Sequence, residues 1–129
     1  MGEGGQAGKP LAIQTSEKGG ILILKFTGDL DNASLPVARQ ALATAVDQGK
    51  KRLLLDLERV DYVDSSGLGF FIGTLKKMKE IGGEVKLLRL NAYMLGIFRL
   101  IHLDYVLELY DDPEKALASF GSAAKAAAR

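Results

Sequence analysis

The sequence contains no cysteine and a single histidine among its 129 residues. Without cysteine it can form no disulfide framework, thiol nucleophile or cysteine-based metal site, which fits a reducing compartment. The 17 Lys and Arg nearly balance the 16 Asp and Glu, so no strong field favours nucleic acid or an anionic membrane. No apolar run approaches the roughly 20 residues of a membrane span, and the N-terminus lacks a signal-peptide stretch. We therefore expect a cytoplasmic protein with no membrane insertion and no nucleic-acid partner.

The length and composition are those of one ordinary globular domain. Hydrophobic residues make up 47% of the chain and charged residues 26%, and the length leaves no room for a second core. Residues 1–10 contain four glycines and one proline and are predicted to form a flexible tail. The alanine-rich residues 121–129 have no large apolar side chain and are predicted to fray. The domain itself is predicted to span residues 11–120.

Apolar periodicity predicts strands that alternate with helices. Two strands around Gly19 and Gly20 form an antiparallel hairpin, and residues 27–32, rich in turn formers, are predicted to be a loop. Further elements are predicted as strands at residues 52–57, 84–90 and 106–109 and as helices near residues 34–49, 66–80, 92–101 and 112–120. This order implies parallel strands, so we predict an α/β fold with one small mixed sheet covered by helices.

Two helices carry more detailed predictions. Ser34 is expected to cap the first helix through its side chain, with Pro36 in the first turn. The helix at residues 92–101 is apolar on more than one side. We expect Leu95, Phe98 and Ile101 to face the core and one or two apolar side chains of this helix to remain available for a partner.

The segment that carries chemistry joins a buried strand to the helix at residues 66–80, and it includes Asp64, Ser65 and Ser66. Loops after the carboxyl ends of parallel strands commonly hold functional groups. These residue types are ordinary helix caps. A serine hydroxyl at a helix N-terminus is also accessible to a kinase, and a phosphate there is tolerated by free N–H groups and the helix dipole. The phosphate adds about −1.5 to −2 charge to a loop surface that Asp29 or Asp31 would already make acidic. This added charge would repel a docked partner.

These features resemble the STAS domain of bacterial anti-sigma factor antagonists. The resemblance covers roughly residues 11–120 and rests on residues 26–31 (FTGDLD), 55–57 (LDL), 63–69 (VDSSGLG) and 81–83 (IGG), together with the order of elements. It implies a protein that is not an enzyme and whose unphosphorylated form binds an anti-sigma factor that is also a serine kinase. The kinase would phosphorylate Ser65, in preference to Ser66, and end binding. A metal-dependent serine phosphatase would restore it.

The resemblance also implies the residues that contact the partner. They are Asp29, Asp31, Asp64, Ser65, Ser66, Gly67 and Leu68. It implies no catalytic residue, no cofactor and no metal. Only the family pattern selects Ser65, because both serines lie at the predicted helix start. STAS proteins also include scaffolds that do not switch, in stressosome-like assemblies or as accessory subunits of lipid transport, and this remains the alternative function.

Other chemistries have weaker support. Gly67, Gly69 and Gly73 resemble a dinucleotide-binding loop, but they fall in the predicted helix rather than in a strand–helix turn, so close packing explains them better. The aspartates of the two loops could hold Mg²⁺, although turn and cap roles account for them. Hydrolase chemistry would need a base, and His102 is more simply a helix-end residue. The nucleophile-elbow pattern also fails, because Val63 stands where glycine is required.

Overall fold

The computed structural model describes residues 9–120, so the predictions for residues 1–8 and 121–129 lie outside it. Its elements are β1 (Ala12–Lys18), β2 (Ile21–Leu30), α1 (Leu35–Asp47), β3 (Arg52–Val63), α2 (Ser65–Glu80), β4 (Glu84–Leu88), α3 (Ala92–Leu100), a 3₁₀ turn (Leu103–Tyr105), β5 (Glu108–Tyr110) and α4 (Pro113–Ser119). The strands form one sheet in the order β1-β2-β3-β4-β5. The pair β1–β2 is antiparallel and the other three pairs are parallel. The predicted mixed α/β fold is therefore confirmed.

The central strand β3 is buried on both faces. Leu53, Leu55 and Leu57 belong to the larger core, which is shared with α1, α2 and α3. Leu54 points to the opposite face and packs with Ala116 of α4 in a smaller cluster. Because successive side chains of a strand point to opposite faces, a strand covered on both sides needs an unbroken apolar run. Because β2 and β3 are parallel and their last pair joins Leu30 to Val63, the loops that follow these strands lie together at one edge of the sheet.

Strands β2 and β3 run further than the sequence predicted. Residues 27–30 belong to β2 rather than to a loop, and β3 continues to Val63 instead of ending at Leu57. The added pairing joins Leu30 to Val63. Two register shifts, opposite residues 25–27 and 28–30 of β2, each place one extra residue in β3. Such bulges interrupt the apolar alternation by which strands are recognised, which is why the polar residues here were assigned to loops.

Smaller corrections concern the second half of the chain. Strand β4 ends at Leu88, because Arg89 adopts a left-handed conformation with φ of 62°. Strand β5 begins at Glu108 rather than at residue 106. Ile101 was expected to face the core, but it is 45% exposed. Helix α3 has already ended at Leu100, and the left-handed His102 turns the chain so that Leu103 enters the core instead.

The described N-terminal residues are attached to the end of β2. Lys9 and Pro10 fell in the predicted tail, but the Asp29 amide donates to the Lys9 carbonyl at 3.1 Å. Gly28 lies against this segment with φ of 119°, and a Cβ at this position would lie only 2.1 Å from the Pro10 carbonyl oxygen. Glycine is therefore required there by both conformation and space.

Candidate functional site: the N-terminus of α2

Helix α2 begins one residue earlier than predicted, at Ser65. Asp64 occupies the N-cap position with extended backbone, and its Oδ1 accepts the Gly67 amide at 3.0 Å. Ser65 is then the first helical residue and is exposed, whereas Ser66 is half-buried. The cap therefore turns the backbone so that Ser65 is presented to solvent at the positive end of a 16-residue helix.

The loop after β2 is bonded directly to this cap. The Asn32 amide donates to Asp64 Oδ2 at 3.1 Å, so both carboxylate oxygens are engaged by backbone N–H groups. The Ser66 hydroxyl lies 3.5 Å from Asn32 Oδ1, and the Asp64 amide donates to the Leu30 carbonyl at 3.3 Å. The structure thus brings the two predicted loop segments into one continuous surface.

Asp31 is held within its own loop. Its Oδ1 accepts the Ser34 amide at 2.9 Å, and its amide donates to Ser34 Oγ at 3.0 Å. Ser34 was predicted to cap α1 through its side chain, but its hydroxyl instead donates to the Asp29 carbonyl at 2.8 Å and makes no cap hydrogen bond. Asp31 consequently stays near the surface in a fixed orientation, close to Asn32.

Asp29 does not lie on the exposed surface that the sequence suggested. It is only 8% exposed, and its Oδ2 accepts the Lys9 amide at 3.0 Å. Together with the bond from its own amide to the Lys9 carbonyl, this makes Asp29 a clamp for the N-terminal segment. Among the predicted contact residues, Asp29 therefore supports the loop and presents no exposed carboxylate.

Gly67 and Leu68 face inwards. Leu68 is half-buried and packs against the main core. Gly67 is buried, and a Cβ there would lie 2.3 Å from Val63 Cγ2 and 2.5 Å from the Leu30 carbonyl oxygen. The prediction that all three glycines serve close packing holds only for Gly67, because Gly69 and Gly73 have open space where a Cβ would stand. Gly67 thus lets the start of α2 approach β2 and β3.

A group of side chains at the bulged end of β3 was not predicted from the sequence. Lys9 forms an ion pair with Asp61, and this contact raises the pKa of Lys9, chiefly through the hydrogen bond and then through the carboxylate charge. Tyr62 stacks on Tyr93 of α3, with ring centroids 6.2 Å apart and planes 13° apart. Val60 and Val63 are both buried although they lie three positions apart, whereas residues on one face of a regular strand lie two positions apart. This spacing is the sequence signal that could have revealed the bulged end of β3.

The structure adds no support for a metal site, a hydrolase or a dinucleotide-binding loop. Within residues 9–120 no three His, Cys, Asp or Glu side chains form a group that could hold a metal ion. His102 lies beyond the C-terminal end of α3, where its ring contacts that of Tyr105 at 5.0 Å. Gly67, Gly69 and Gly73 all lie inside α2, as predicted. Within the same residues, no helix combines the length and apolarity needed to cross a membrane.

Comparison with known proteins agrees with this architecture. The family model described as STAS domain matches residues 12–116. The chain is 35% identical over 86 residues to an anti-sigma-B factor antagonist of Bacillus subtilis (strain 168), covering 67% of this chain and 78% of the relative. It is 27% identical over 108 residues to an anti-sigma F factor antagonist of Paenibacillus polymyxa, covering 83% and 92%. A crystal structure of an anti-sigma factor antagonist from Mycobacterium paratuberculosis superposes with a TM-score of 0.77 at 22% identity, covering 84% and 92%.

Proposed function

Because this chain belongs to the STAS domain family, we propose that it is an anti-sigma factor antagonist controlled by phosphorylation of Ser65. In this proposal the unphosphorylated protein binds an anti-sigma factor that is also a serine kinase, and the sigma factor is released. Transfer of phosphate to Ser65 ends the interaction, and a metal-dependent serine phosphatase restores it. The observation that carries the proposal is the exposed Ser65 hydroxyl at the capped N-terminus of α2.

The local geometry favours Ser65 over Ser66 as the phosphorylated residue. Ser65 is exposed, while Ser66 is half-buried and its hydroxyl lies 3.5 Å from Asn32 Oδ1. A kinase must bring the γ-phosphate of ATP in line with the hydroxyl, so the accessible serine is the better acceptor. A phosphate on Ser65 would stand at the N-terminus of α2, where first-turn N–H groups lack intrahelical partners.

Loss of binding requires no change of fold in this scheme. Phosphate adds about −1.5 to −2 charge beside the Asp64 carboxylate. A partner that covered this surface would have to desolvate the dianion, which is unfavourable without a paired cation. Immediately after transfer, the dianion would also face the phosphates of the bound nucleotide. The switch would therefore act through the surface, while the Asp64 cap and the core below it stay in place.

The first experiment maps phosphosites by mass spectrometry on the protein isolated from its own cells, during growth and under stress. We expect phosphate on Ser65 with an occupancy that changes between conditions. Absence of phosphate from both Ser65 and Ser66 in every condition would contradict the proposal. It would favour a STAS scaffold that does not switch.

A second experiment measures binding by calorimetry to each purified anti-sigma factor serine kinase of the same cell. Ser65→Ala should bind at least as well as the wild type, and Ser65→Asp should bind at least tenfold more weakly. Ser66→Ala and Ser66→Asp are the matched controls, one position along the same helix turn. Equal binding by Ser65→Ala and Ser65→Asp to every kinase would refute the switch.

A further inference from the structure

Two half-exposed aromatic rings stand beside the candidate switch. Tyr62 is 46% exposed and Tyr93 is 47% exposed, and their rings are offset and nearly parallel, with centroids 6.2 Å apart and planes 13° apart. Tyr62 is three positions before Ser65 in the sequence. We refer to this pair as the tyrosine platform. Rings of this size ordinarily bury most of their area, so a stacked pair left half open presents a rigid, partly apolar surface.

The bulge near the end of β3 is what displays Tyr62. Gly28 of β2 pairs with Val60, but Leu30 pairs with Val63, so β3 carries one extra residue between these partners. Val60 and Val63 both point into the core, and the two residues between them are both exposed. In a regular strand, one of two successive side chains would turn inwards. The bulge thus places Tyr62 outside the core and beside the loop of the serines.

Helix α3 is fastened to the same stretch of β3. The Tyr93 hydroxyl donates to the Val63 carbonyl at 3.2 Å, and the Asn91 side-chain amide donates to the Val60 carbonyl at 3.2 Å. Asn91 also caps α3, since its Oδ1 accepts the Met94 amide at 2.8 Å. Val63 precedes the cap residue Asp64 directly, so these bonds fix the platform relative to Ser65.

We infer that the tyrosine platform is the aromatic anchor of the surface on which the anti-sigma factor kinase docks, with an apolar side chain of the kinase seated on the two rings. The inference rests on the proposed function and extends it from the serine to a specific contact. Its basis is continuity, because a kinase that reaches the Ser65 hydroxyl must cover neighbouring surface, and the platform is joined to that loop through Val63. Tyrosine is enriched at binding hot spots, since a ring ordered before binding loses little conformational entropy.

The test uses the full-length unphosphorylated protein and the purified serine kinase that binds the wild type. The variants are Tyr62→Ala, Tyr93→Ala and Tyr93→Phe, which keeps the ring but removes the hydroxyl. Tyr105→Ala is the matched control, because Tyr105 is 78% exposed, also contacts a second ring, and lies beyond the other end of α3. Thermal melting confirms that each variant is folded. Tyr62→Gln, which keeps a long side chain, is the second variant if Tyr62→Ala does not fold.

We expect the two platform alanine variants to bind the kinase at least tenfold more weakly and Tyr105→Ala to stay within threefold of the wild type. Tyr93→Phe keeps the ring but loses the bond to Val63, so its binding should fall between that of Tyr93→Ala and the wild type. Phosphorylation of Ser65 at subsaturating substrate should fall in parallel. If Tyr62→Ala binds normally while Ser65→Asp does not, the platform inference is wrong and the phosphoswitch stands. If the wild type binds no kinase, both fail. A wild-type dimer that Tyr62→Ala dissociates, with kinase binding unchanged, would assign the platform to self-association and overturn the inference.

Discussion

The glycines of α2 allow a prediction in which the same substitution has opposite effects at two positions. Gly67 is enclosed, and an added Cβ would lie 2.3 Å from Val63 Cγ2 and 2.5 Å from the Leu30 carbonyl oxygen. Gly73 lies six positions later on an exposed face, with open space where a Cβ would stand. The perturbations are Gly67→Ala and Gly73→Ala, which add one identical methyl group to one helix.

The magnitudes follow from packing and helix propensity. Replacing an exposed interior glycine by alanine favours the helix by about 1 kcal/mol, so Gly73→Ala should stabilise the protein by roughly that amount. Gly67→Ala meets a side chain and a strand carbonyl that is bonded to the Asp64 amide. Overpacking of this kind lowers the free energy of unfolding by up to about 3 kcal/mol. After the gain of about 1 kcal/mol in helix propensity, Gly67→Ala should lower it by about 2 kcal/mol.

The assay is urea unfolding followed by circular dichroism, with thermal melting in parallel. For a chain of this size, a loss of about 2 kcal/mol should lower the melting temperature by about 8 °C. Gly69→Ala provides a second control with open space at the same helix. A Gly67→Ala protein that is as stable as the wild type, or two substitutions that shift stability in the same direction by the same amount, would refute the close approach of α2 to β2 and β3.

Three further predictions concern charges. Asp64→Ala should lower the free energy of unfolding by about 1–2 kcal/mol in urea titrations, because two backbone N–H groups lose their acceptor, and Asp64→Asn should lower it by less than half as much. Ser65→Asp should stay within about 0.5 kcal/mol of the wild type, since an acid in the first turn suits the helix dipole, and a larger loss would mean that weakened binding reflects folding. Hydrogen bonding from Tyr110, then Lys86, lowers the pKa of Glu108 below its usual 4.5. As the pH falls, the Glu108 carboxylate is therefore protonated in the unfolded chain before it is protonated in the folded protein. The stability that Glu108 contributes is present above about pH 4.5 and is lost as the pH drops further. Glu108→Gln should therefore make the urea midpoint less dependent on pH in this acid range.

The candidate site could be predicted where its interactions are local. A cap bonds residues three positions apart, so Asp64 and the serines at the start of α2 were recognisable from residue types and the apolar spacing that follows them. The order of strands and helices was predictable for the same reason, because each element carries its own periodicity. The start of α2 at Ser65 instead of Ser66 is within the uncertainty of helix boundaries.

Burial and strand register could not be predicted in this way. Asp29 and Asp31 are equivalent in the sequence pattern, yet Asp29 is buried against the Lys9 backbone and Asp31 is held near the surface by Ser34. That difference depends on where the N-terminal segment crosses β2. Likewise, the sequence does not distinguish the enclosed Gly67 from the open Gly73, because the difference depends on the strands that pack against α2.

By itself, the sequence determined the element order, the family to which the chain belongs and the helix start that bears Ser65, because these depend on periodicity and on contacts within a few residues. Only the tertiary structure decided that Ser65 is open while Ser66 is half-buried, and that a bulge brings Tyr62 onto Tyr93 of another helix. These features arise from pairings between residues about 30 positions apart. Such pairings leave no local pattern, since they are set by the register of β2 against β3 and by the packing of α3.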